Sequence, residues 1–357
     1  MTDYALRNTL VIVWRVTEYC DLGCHFCAYS RHLRRPRRMA DPDQVLAFGE
    51  RLGAYAALYS RDVLVSWLGG EPLRWPPVFD LSRTFKRQFN LRVSATTNGT
   101  ALTSPAVRQH IIEDFDQLTL SLDGLGAVHD QLRDAPGLYD QLRVNVASLR
   151  ELRARLGRGP RLRVNTILMR DNIHAFEDLC RTLAEWGVEE LTFNALGGRD
   201  RPEFYPAHSL LPEQIEPFRQ ALPGIRERLA RLGLAIYGGE GYLQRIDSAA
   251  RGVRIPVHDC QPGRQFLFID ERGFISPCSF TTRGYGVHLS EIRTSRDLHH
   301  LPARFTEHKQ KEVLAACLDC PSTQVFGKFD LVKEPPRNGQ MGLPMPTAVA
   351  ATLQSAI

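Results

Sequence analysis

Apolar segments that alternate with amphipathic helical segments, from about residue 9 to residue 240, constrain the fold of this chain most strongly. Strands separated by helices over such a length predict βαβ units that assemble a parallel sheet. The predicted strands are 9–15, 63–67, 92–96, 117–122, 161–168 and 190–193, and the predicted helices include 42–59, 104–115, 139–156 and 173–186. Six units are fewer than the eight of a closed barrel, so we predict an α/β fold with an open, partial (β/α)6 parallel barrel.

Three cysteines follow the first predicted strand directly. Cys20, Cys24 and Cys27 have the spacing C-x3-C-x2-C, and the loop supplies no fourth cysteine. A structural zinc site uses four protein ligands, whereas three thiolates on a [4Fe–4S] cluster leave one iron open for a substrate or cofactor. The spacing favours the cluster. The alternative is a zinc knuckle completed from elsewhere in the chain, or a loop of unrelated thiols.

Polar motifs also stand at the ends of later predicted strands, where catalytic residues of parallel barrels gather. Leu68-Gly69-Gly70-Glu71-Pro72 follows the second strand, and Thr97-Asn98-Gly99 follows the third. The fourth strand leads into Ser121-Leu122-Asp123-Gly124, after which come His129-Asp130 and Arg133. Each motif alone is more often an ordinary turn. Their order behind the cysteine loop indicates one shared site.

The cysteine spacing, the aromatic Phe26 before the last cysteine and these motifs together resemble the radical S-adenosylmethionine (SAM) enzymes. In that family SAM chelates the open iron, and one electron splits it into methionine and a 5′-deoxyadenosyl radical that abstracts hydrogen from substrate. The resemblance implies SAM as cofactor and a flavodoxin- or ferredoxin-type electron donor. It assigns the cluster to Cys20, Cys24 and Cys27, and SAM binding to Gly69, Gly70, Glu71, Asn98, Ser121, Asp123 and Arg133.

A second cysteine set lies late in the chain. Cys260 and Cys278 flank a predicted β-hairpin, and Cys317 and Cys320 follow a predicted helix at about 290–308. Four sulfur ligands suit zinc as well as iron and sulfur. The arrangement resembles the twitch domain, a short relative of the SPASM domain, which implies one auxiliary [4Fe–4S] cluster with four protein ligands. We therefore expect a radical SAM barrel at 1–240, a small α+β auxiliary-cluster domain at 241–332 and a tail at 333–357.

Charge and hydropathy limit the remaining classes of function. The formal net charge is +5, and a basic run at residues 31–38 follows the cysteine loop. A solvated loop is the favoured interpretation of this run; attraction of an anionic substrate or an acidic electron donor is an alternative, and nucleic-acid binding is not favoured. No apolar stretch is long enough to span a bilayer and no secretory segment is evident, so we expect a cytoplasmic protein.

The motifs describe the cofactors better than the substrate. Our first expectation is a polar or anionic small molecule of sugar, aminocyclitol or sugar-nucleoside type that is oxidised, dehydrated or decarboxylated in natural-product biosynthesis. The alternatives are maturation of a ribosomal peptide by crosslinking, epimerisation or oxidation, and a non-enzymatic iron–sulfur sensor or scaffold. No catalytic acid or base is assigned. Candidates near later strand ends are Asn194, Arg199, Glu203, Tyr205, His208, Glu240 and Tyr242.

Overall fold

A largely parallel sheet organises the computed structural model, which describes residues 8–198, 200–254, 257, 260–320, 322 and 328. Within these residues the sheet has ten strands in the order β10-β9-β8-β1-β2-β3-β4-β5-β6-β7. The strands are β1 Thr9–Thr17, β2 Asp62–Gly69, β3 Arg92–Thr97, β4 Gln117–Ser121, β5 Arg161–Leu168, β6 Glu190–Ala195, β7 Ala235–Ile236, β8 Phe266–Ile269, β9 Phe274–Ser276 and β10 Val287–His288. Strands β1 to β7 pair in parallel with their neighbours, as expected for βαβ units.

Helices connect the strands. Proline in the first turn and a capping side chain fix the start of several of them. Asp41 and Ser104, for example, accept hydrogen bonds from the first turns of the helices that begin at Pro42 and Pro105. The described helices are α1 Pro42–Leu58, α2 Pro77–Arg87, α3 Pro105–Asp114, α4 Ala127–Arg133, α5 Leu138–Leu156, α6 Phe176–Glu185, α7 Tyr205–His208, α8 Pro212–Arg231, α9 Glu240–Ala250, α10 Thr282–Tyr285, α11 Ser295–Lys311 and α12 Ala315–Leu318.

The core lies between the sheet and this helical layer. Alternate strand residues are fully buried: the ring of Trp14 lies 5.7 Å from that of Phe48 on α1, and the ring of Trp67 lies 5.3 Å from that of Phe85 on α2. The intervening residues, such as Arg15, are only half-buried. Because successive side chains of a strand point to opposite faces, these half-buried residues line the other face of the sheet.

The structure confirms the predicted α/β fold with an open parallel barrel, and all six predicted strands are present within a few residues of their expected ends. The helix expected at 290–308 is instead divided. A 3₁₀ turn occupies Leu289–Glu291, and α11 begins at Ser295 because Thr294 and Asp297 form a reciprocal capping box that sets a new N-terminus. None of the described helices is long and apolar enough to cross a membrane.

The late hairpin has a position that the sequence did not reveal. Strand β8 pairs in parallel with β1, with Val11 opposite Phe266, and β9 and β10 continue the sheet in antiparallel fashion. The hairpin therefore extends the barrel sheet beyond β1. The tail expected at 333–357 lies outside the described residues.

Candidate functional site

The loop that carries Cys20, Cys24 and Cys27 leaves the end of β1 and is held there through Asp21. The carboxylate of Asp21 accepts hydrogen bonds from Asn98 Nδ2 at 2.8 Å, Thr100 Oγ1 at 2.7 Å and Arg74 Nε at 2.8 Å. Burial alone would raise the pKa of Asp21, but these donors outweigh it and lower the pKa. An ionised Asp21 thus ties the loop to the segments that follow β2 and β3.

The glycine pair after β2 allows the same loop to approach the sheet. Gly70 N donates to Thr17 O, and Glu71 N donates to Tyr19 O, both at 2.8 Å. A Cβ atom on Gly70 would overlap the carbonyl of Tyr19, and one on Gly69 would overlap that of Thr17. Only glycine fits at these two positions because backbone lies directly against backbone. The close approach seen here involves the cysteine loop; an approach to SAM remains a prediction.

Glu71 joins the ends of β2 and β3 from a fully buried position. Its Oε1 accepts from Leu73 N at 3.1 Å and Thr97 Oγ1 at 2.7 Å, and its Oε2 accepts from Asn98 N at 2.7 Å. Burial raises the pKa of Glu71 to about 7, against the effect of these donors. The predicted contact with the SAM ammonium would have to use the remaining lone pairs of this carboxylate.

Two further predicted SAM-binding residues lie at neighbouring strand ends. Asn98 is buried; its Oδ1 accepts from Thr100 N at 3.0 Å, and its Nδ2 lies 3.8 Å from the sulfur of Cys20. Ser121 is half-buried at the end of β4, in register with Asn165 of β5. Asn98 therefore lies directly against the cysteine loop, whereas the contacts described for Ser121 connect it to β5.

Asp123 and Arg133 form a buried ion pair beside the loop. Asp123 Oδ2 accepts from Arg133 Nε at 2.7 Å and Nη2 at 2.6 Å, while Oδ1 accepts from Ile167 N at 2.8 Å. The guanidinium carbon of Arg133 lies 5.3 Å from the ring centroid of Phe26, within the range of a cation–π contact. His129, also buried, accepts from Asp123 N through Nδ1 at 3.2 Å. The motif after β4 thus positions one arginine against the cysteine loop.

The three thiols of the loop are largely buried, so their negatively charged thiolate forms need a positively charged centre beside them. Burial raises the pKa of Cys20 to about 12 and that of Cys24 to about 11, and it also raises the pKa of Cys27. The charge of Arg133 partly offsets this effect at Cys24 and Cys27, and Tyr29 N donates to the sulfur of Cys27 at 3.3 Å. Thiolates form here when a metal centre compensates their charge, so the residues fit an iron–sulfur cluster.

The positions of the possible ligand side chains indicate which kind of metal centre the site can hold. Among the described residues, no three His, Cys, Asp or Glu side chains converge as a single metal ion requires. The thiolates of a [4Fe–4S] cluster bind separate irons and need not converge on one point.

The four late cysteines line one cavity of about 50 Å³, although no three of them converge as a single metal ion would require. Lys309 Nζ lies 4.0 Å from the sulfur of Cys260, and the sulfur of Cys278 lies 3.4 Å from Thr281 Oγ1. Burial raises the pKa of Cys260, and the charges of Lys309 and Lys328 oppose that rise. The cavity is lined by Cys260, Cys278, Cys317 and Cys320. It also contacts Phe266 at the start of β8, so this set lies toward the end of the sheet where β1 begins.

The candidates for a catalytic acid or base are dispersed. Asn194 Nδ2 donates to Asn165 Oδ1 at 2.9 Å on the half-buried face of the sheet. His208 is paired with Asp171, at 2.5 Å, and stacks on Phe204 with ring centroids 3.8 Å apart. Phe204 in turn stacks on His25 of the cysteine loop. The segment around α7 therefore packs on the loop through an aromatic residue that the sequence analysis did not select.

The remaining candidates have structural partners or lie elsewhere. Glu203 pairs with Arg201 at the surface, Glu240 pairs with Arg219, and Tyr242 is buried against Phe193. Tyr205 begins α7, and Arg199 lies outside the described residues. None of these contacts joins the cysteine loop.

Two residues that the sequence analysis missed lie on the half-buried face. Asn165 accepts from both Thr192 and Asn194, which makes a polar layer across β5 and β6. Arg15 interrupts the apolar β1 just before the cysteine loop and donates to Tyr29 Oη at 2.6 Å. A charged residue within an otherwise apolar strand was the available signal for Arg15.

Comparisons with known proteins identify a family and several relatives for this chain. The family model described as the radical SAM superfamily matches residues 14–183. The AdoMet-dependent heme synthase of Nitratidesulfovibrio vulgaris is 25% identical over 295 residues, covering 76% of this chain and 73% of that protein. The mycofactocin maturase MftC of Mycobacterium tuberculosis is 22% identical over 322 residues, covering 89% of this chain and 77% of that protein.

A solved structure shares the fold. The crystal structure of Streptococcus suis SuiB bound to its precursor peptide SuiA superposes with a TM-score of 0.62 at 17% identity, covering 88% of this chain and 70% of that chain. The likeness extends beyond the region matched by the family model, because it covers most of the chain.

Proposed function

We propose that this enzyme, whose residues 14–183 match the radical SAM superfamily, uses a [4Fe–4S] cluster and SAM to act on a ribosomally made peptide. When bound, this cofactor pair supplies a 5′-deoxyadenosyl radical that can abstract a hydrogen atom from an unactivated carbon. The proposed outcome is crosslinking, epimerisation or oxidation of the peptide.

The extent of similarity to a maturase, together with a peptide-bound structure of the same fold, carries this proposal. The match to MftC covers 89% of the chain, which leaves only about 40 of the 357 residues unmatched. Even if all of these unmatched residues lay at one end of the chain, the matched region would include Cys260 and Cys278. The heme synthase match covers a smaller share of the chain. SuiB, which shares the fold over most of the chain, is described as bound to its precursor peptide.

A small-molecule substrate is the second candidate. The AdoMet-dependent heme synthase is a relative named for making a small molecule, and its identity to this chain is slightly higher than that of MftC. The sugar, aminocyclitol or sugar-nucleoside substrate that we expected from the sequence has no counterpart among the relatives described above. The comparisons therefore favour the peptide alternative over our first expectation.

The residues of the loop and its surroundings have proposed roles. Cys20, Cys24 and Cys27 would hold the cluster, and Arg133 would balance part of their charge from beside Cys24. Asn98 lies against Cys20 and would orient the loop toward SAM. Gly69, Gly70 and Glu71 would present backbone and carboxylate acceptors to the SAM ammonium, with Ser121, Asp123 and Arg133 completing the SAM site.

The second cysteine set has a proposed role in electron transfer. Its four cysteines line one cavity with Lys309 close by, and this arrangement supports an auxiliary [4Fe–4S] cluster with all four protein ligands. Residues 241–332 would form the domain that holds it. Full protein ligation leaves no open iron, so this cluster would move electrons rather than bind substrate, with a flavodoxin- or ferredoxin-type protein as the external donor.

Anaerobic reconstitution tests the proposal. The protein is loaded with iron and sulfide, reduced with dithionite in the presence of SAM, and incubated with short peptides encoded beside its gene. We expect 5′-deoxyadenosine together with a mass change in one peptide, and neither product from the Cys24→Ala variant. A mass change confined to a small molecule from a cell extract would instead establish the second candidate.

A further inference from the structure

A polar cleft of about 450 Å³ lies beside the cysteine loop and is not used by the site described above. Three segments line it: the end of β1 with the ends of the loop, the turn between β8 and β9, and the residues that follow Cys278. Its volume falls within the range of about 300–1,000 Å³ that is usual for ligand pockets.

The cleft lies between the two cysteine sets. Arg15, in its wall, donates to the hydroxyl of Tyr29, and the amide nitrogen of Tyr29 donates to the sulfur of Cys27. On the opposite side, Phe280 lines both the cleft and the cavity of the late cysteines. A molecule bound in the cleft would therefore lie close to the proposed radical centre and the proposed auxiliary cluster.

The carboxylates of the cleft are already paired within the chain. Glu271 is buried and accepts from Arg15 Nε and Nη2, each at 2.6 Å. Asp270 is buried and accepts from Arg272 Nη2 at 2.7 Å and from Phe274 N at 2.9 Å. Because arginine forms strong forked bonds with carboxylates, these pairs leave little negative charge to attract a cation.

The third carboxylate of the cleft, Glu18, is also occupied. It accepts from Arg38 N at 3.2 Å and lies 3.7 Å from the guanidinium of Arg35. All three acidic side chains are therefore matched by donors that belong to the protein.

Two guanidinium groups of the cleft lack an acidic or hydrogen-bonding partner among the described residues. Arg38 and Arg283 both line the cleft and are exposed, and neither guanidinium has a hydrogen bond or ion pair with any other described residue. Two uncompensated guanidinium charges in one recess form a site for an anion. The guanidinium fork matches both carboxylate and phosphate, and of these two groups a peptide substrate carries the carboxylate.

We propose that this cleft binds a carboxylate of the substrate, held by Arg38 and Arg283, with Phe280 contacting the adjoining apolar part. The identity of the occupant as substrate rests on the proposed function. For a peptide the group is its C-terminal carboxylate or an acidic side chain, and for a small molecule it is a free acid.

Calorimetric titration of the full-length reconstituted protein, without reductant or SAM, tests the site. The probes are N-acetyl-tetra-alanine as the free acid, the same peptide as its C-terminal amide, and glutarate. We expect the free acid to bind more tightly than the amide. Arg38→Gln and Arg283→Gln should each weaken its binding about tenfold, as loss of one charge-assisted pair implies. Arg38→Lys should retain part of it. Arg34→Gln, an exposed residue of the same basic run outside the cleft, serves as the control.

The results separate the possible sources of the anion. Tighter binding of the peptide acid than of glutarate indicates a peptide carboxylate, and equal binding indicates that any small acid suffices; both support the site. Equal binding of acid and amide, or wild-type affinity in both Gln variants, would overturn it. A variant that slows reduction by flavodoxin but not acid binding would make the cleft a docking surface and also overturn the proposal. Since binding is measured without radical chemistry, failure here leaves the test of SAM cleavage unaffected.

Discussion

The guanidinium of Arg133 donates to the fully buried carboxylate of Asp123 through two nitrogens, at 2.6 and 2.7 Å, and it lies over the ring of Phe26. Opposite charges in contact raise the pKa of Arg133 despite its burial, which alone would lower it. The pair thus places a permanent positive charge next to Cys24 and Cys27.

Replacing Asp123 with Asn should destabilise the protein strongly. The change leaves the Arg133 charge buried without its partner, and breaking such a pair costs about 3–5 kcal/mol. Denaturant unfolding of the reconstituted protein measures the loss. Asp140→Asn is the matched control, because its pair with Arg143 is exposed and should cost less than about 1 kcal/mol. Equal losses in the two variants would contradict the importance of the buried pair.

Gly70→Ala should displace the cysteine loop. The added methyl group would overlap the Tyr19 carbonyl, and overpacking of this kind costs about 1–3 kcal/mol. We expect lower iron content after reconstitution, measured by absorbance and iron analysis. At Gly197 an added Cβ meets nothing within 4 Å, so Gly197→Ala is the control and should bind iron normally. Normal iron content in the Gly70 variant would show that the close approach is dispensable.

Replacement of Cys20, Cys24 or Cys27 with Ala should abolish SAM cleavage. Each change removes one of three thiolate ligands, and the cluster has no substitute ligand of comparable strength in the loop. The formation of 5′-deoxyadenosine under dithionite is the measurement. Retained cleavage in any one variant would remove that cysteine from the proposed ligand set.

Cys317→Ala should lower iron from about eight to about four atoms per chain while some SAM cleavage persists, because only the proposed auxiliary [4Fe–4S] cluster loses a ligand. Iron analysis and cleavage are measured on the same preparation. The control is Cys180→Ala, since Cys180 is a buried residue of α6 that belongs to neither cysteine set, and its loss should leave the iron content unchanged. Iron that stays at about eight in Cys317→Ala would mean that the late cysteines hold something else.

His129 should make the folded state sensitive to acid. Burial, assisted by the nearby Arg133, lowers the pKa of His129 to about 3 from an ordinary value near 6.5. Between these values the unfolded chain binds the proton and the folded protein does not, so stability falls as pH decreases below about 6.5. The slope from this one group approaches about 1.4 kcal/mol per pH unit. Unfolding of wild type and His129→Gln at pH 5 to 7 checks this; identical slopes would refute it.

The barrel could be predicted from the sequence because its signals are local. Each strand from β1 to β6 can be recognised within its own short segment, in which apolar residues are contiguous or alternate with polar ones. Each motif follows a strand directly, so strand order alone brings Gly70, Asn98 and Asp123 to one edge. The placement of β8 beside β1 could not be predicted, since it depends on pairing between Val11 and Phe266. The same holds for the pair of Arg15 and Glu271, which are 256 residues apart in sequence.

Contacts between the site and distant segments of the chain could not be predicted from the sequence either. The stacking of Phe204 on His25 and the sharing of Phe280 by two recesses depend on how loops of different units meet in space. Loop conformations carry no periodic pattern from which such contacts could be inferred.

The pairing of β8 with β1 has a consequence for how the protein is made. Strand β1 leads directly into the cysteine loop, yet one of its two neighbours, β8, is synthesised only some 250 residues later. Until then β1 is an exposed sheet edge, open to pairing with other chains. Completion of the sheet beside the cysteine loop is thereby tied to synthesis of β8, so a product that terminates before Phe266 would lack the strand that covers this edge.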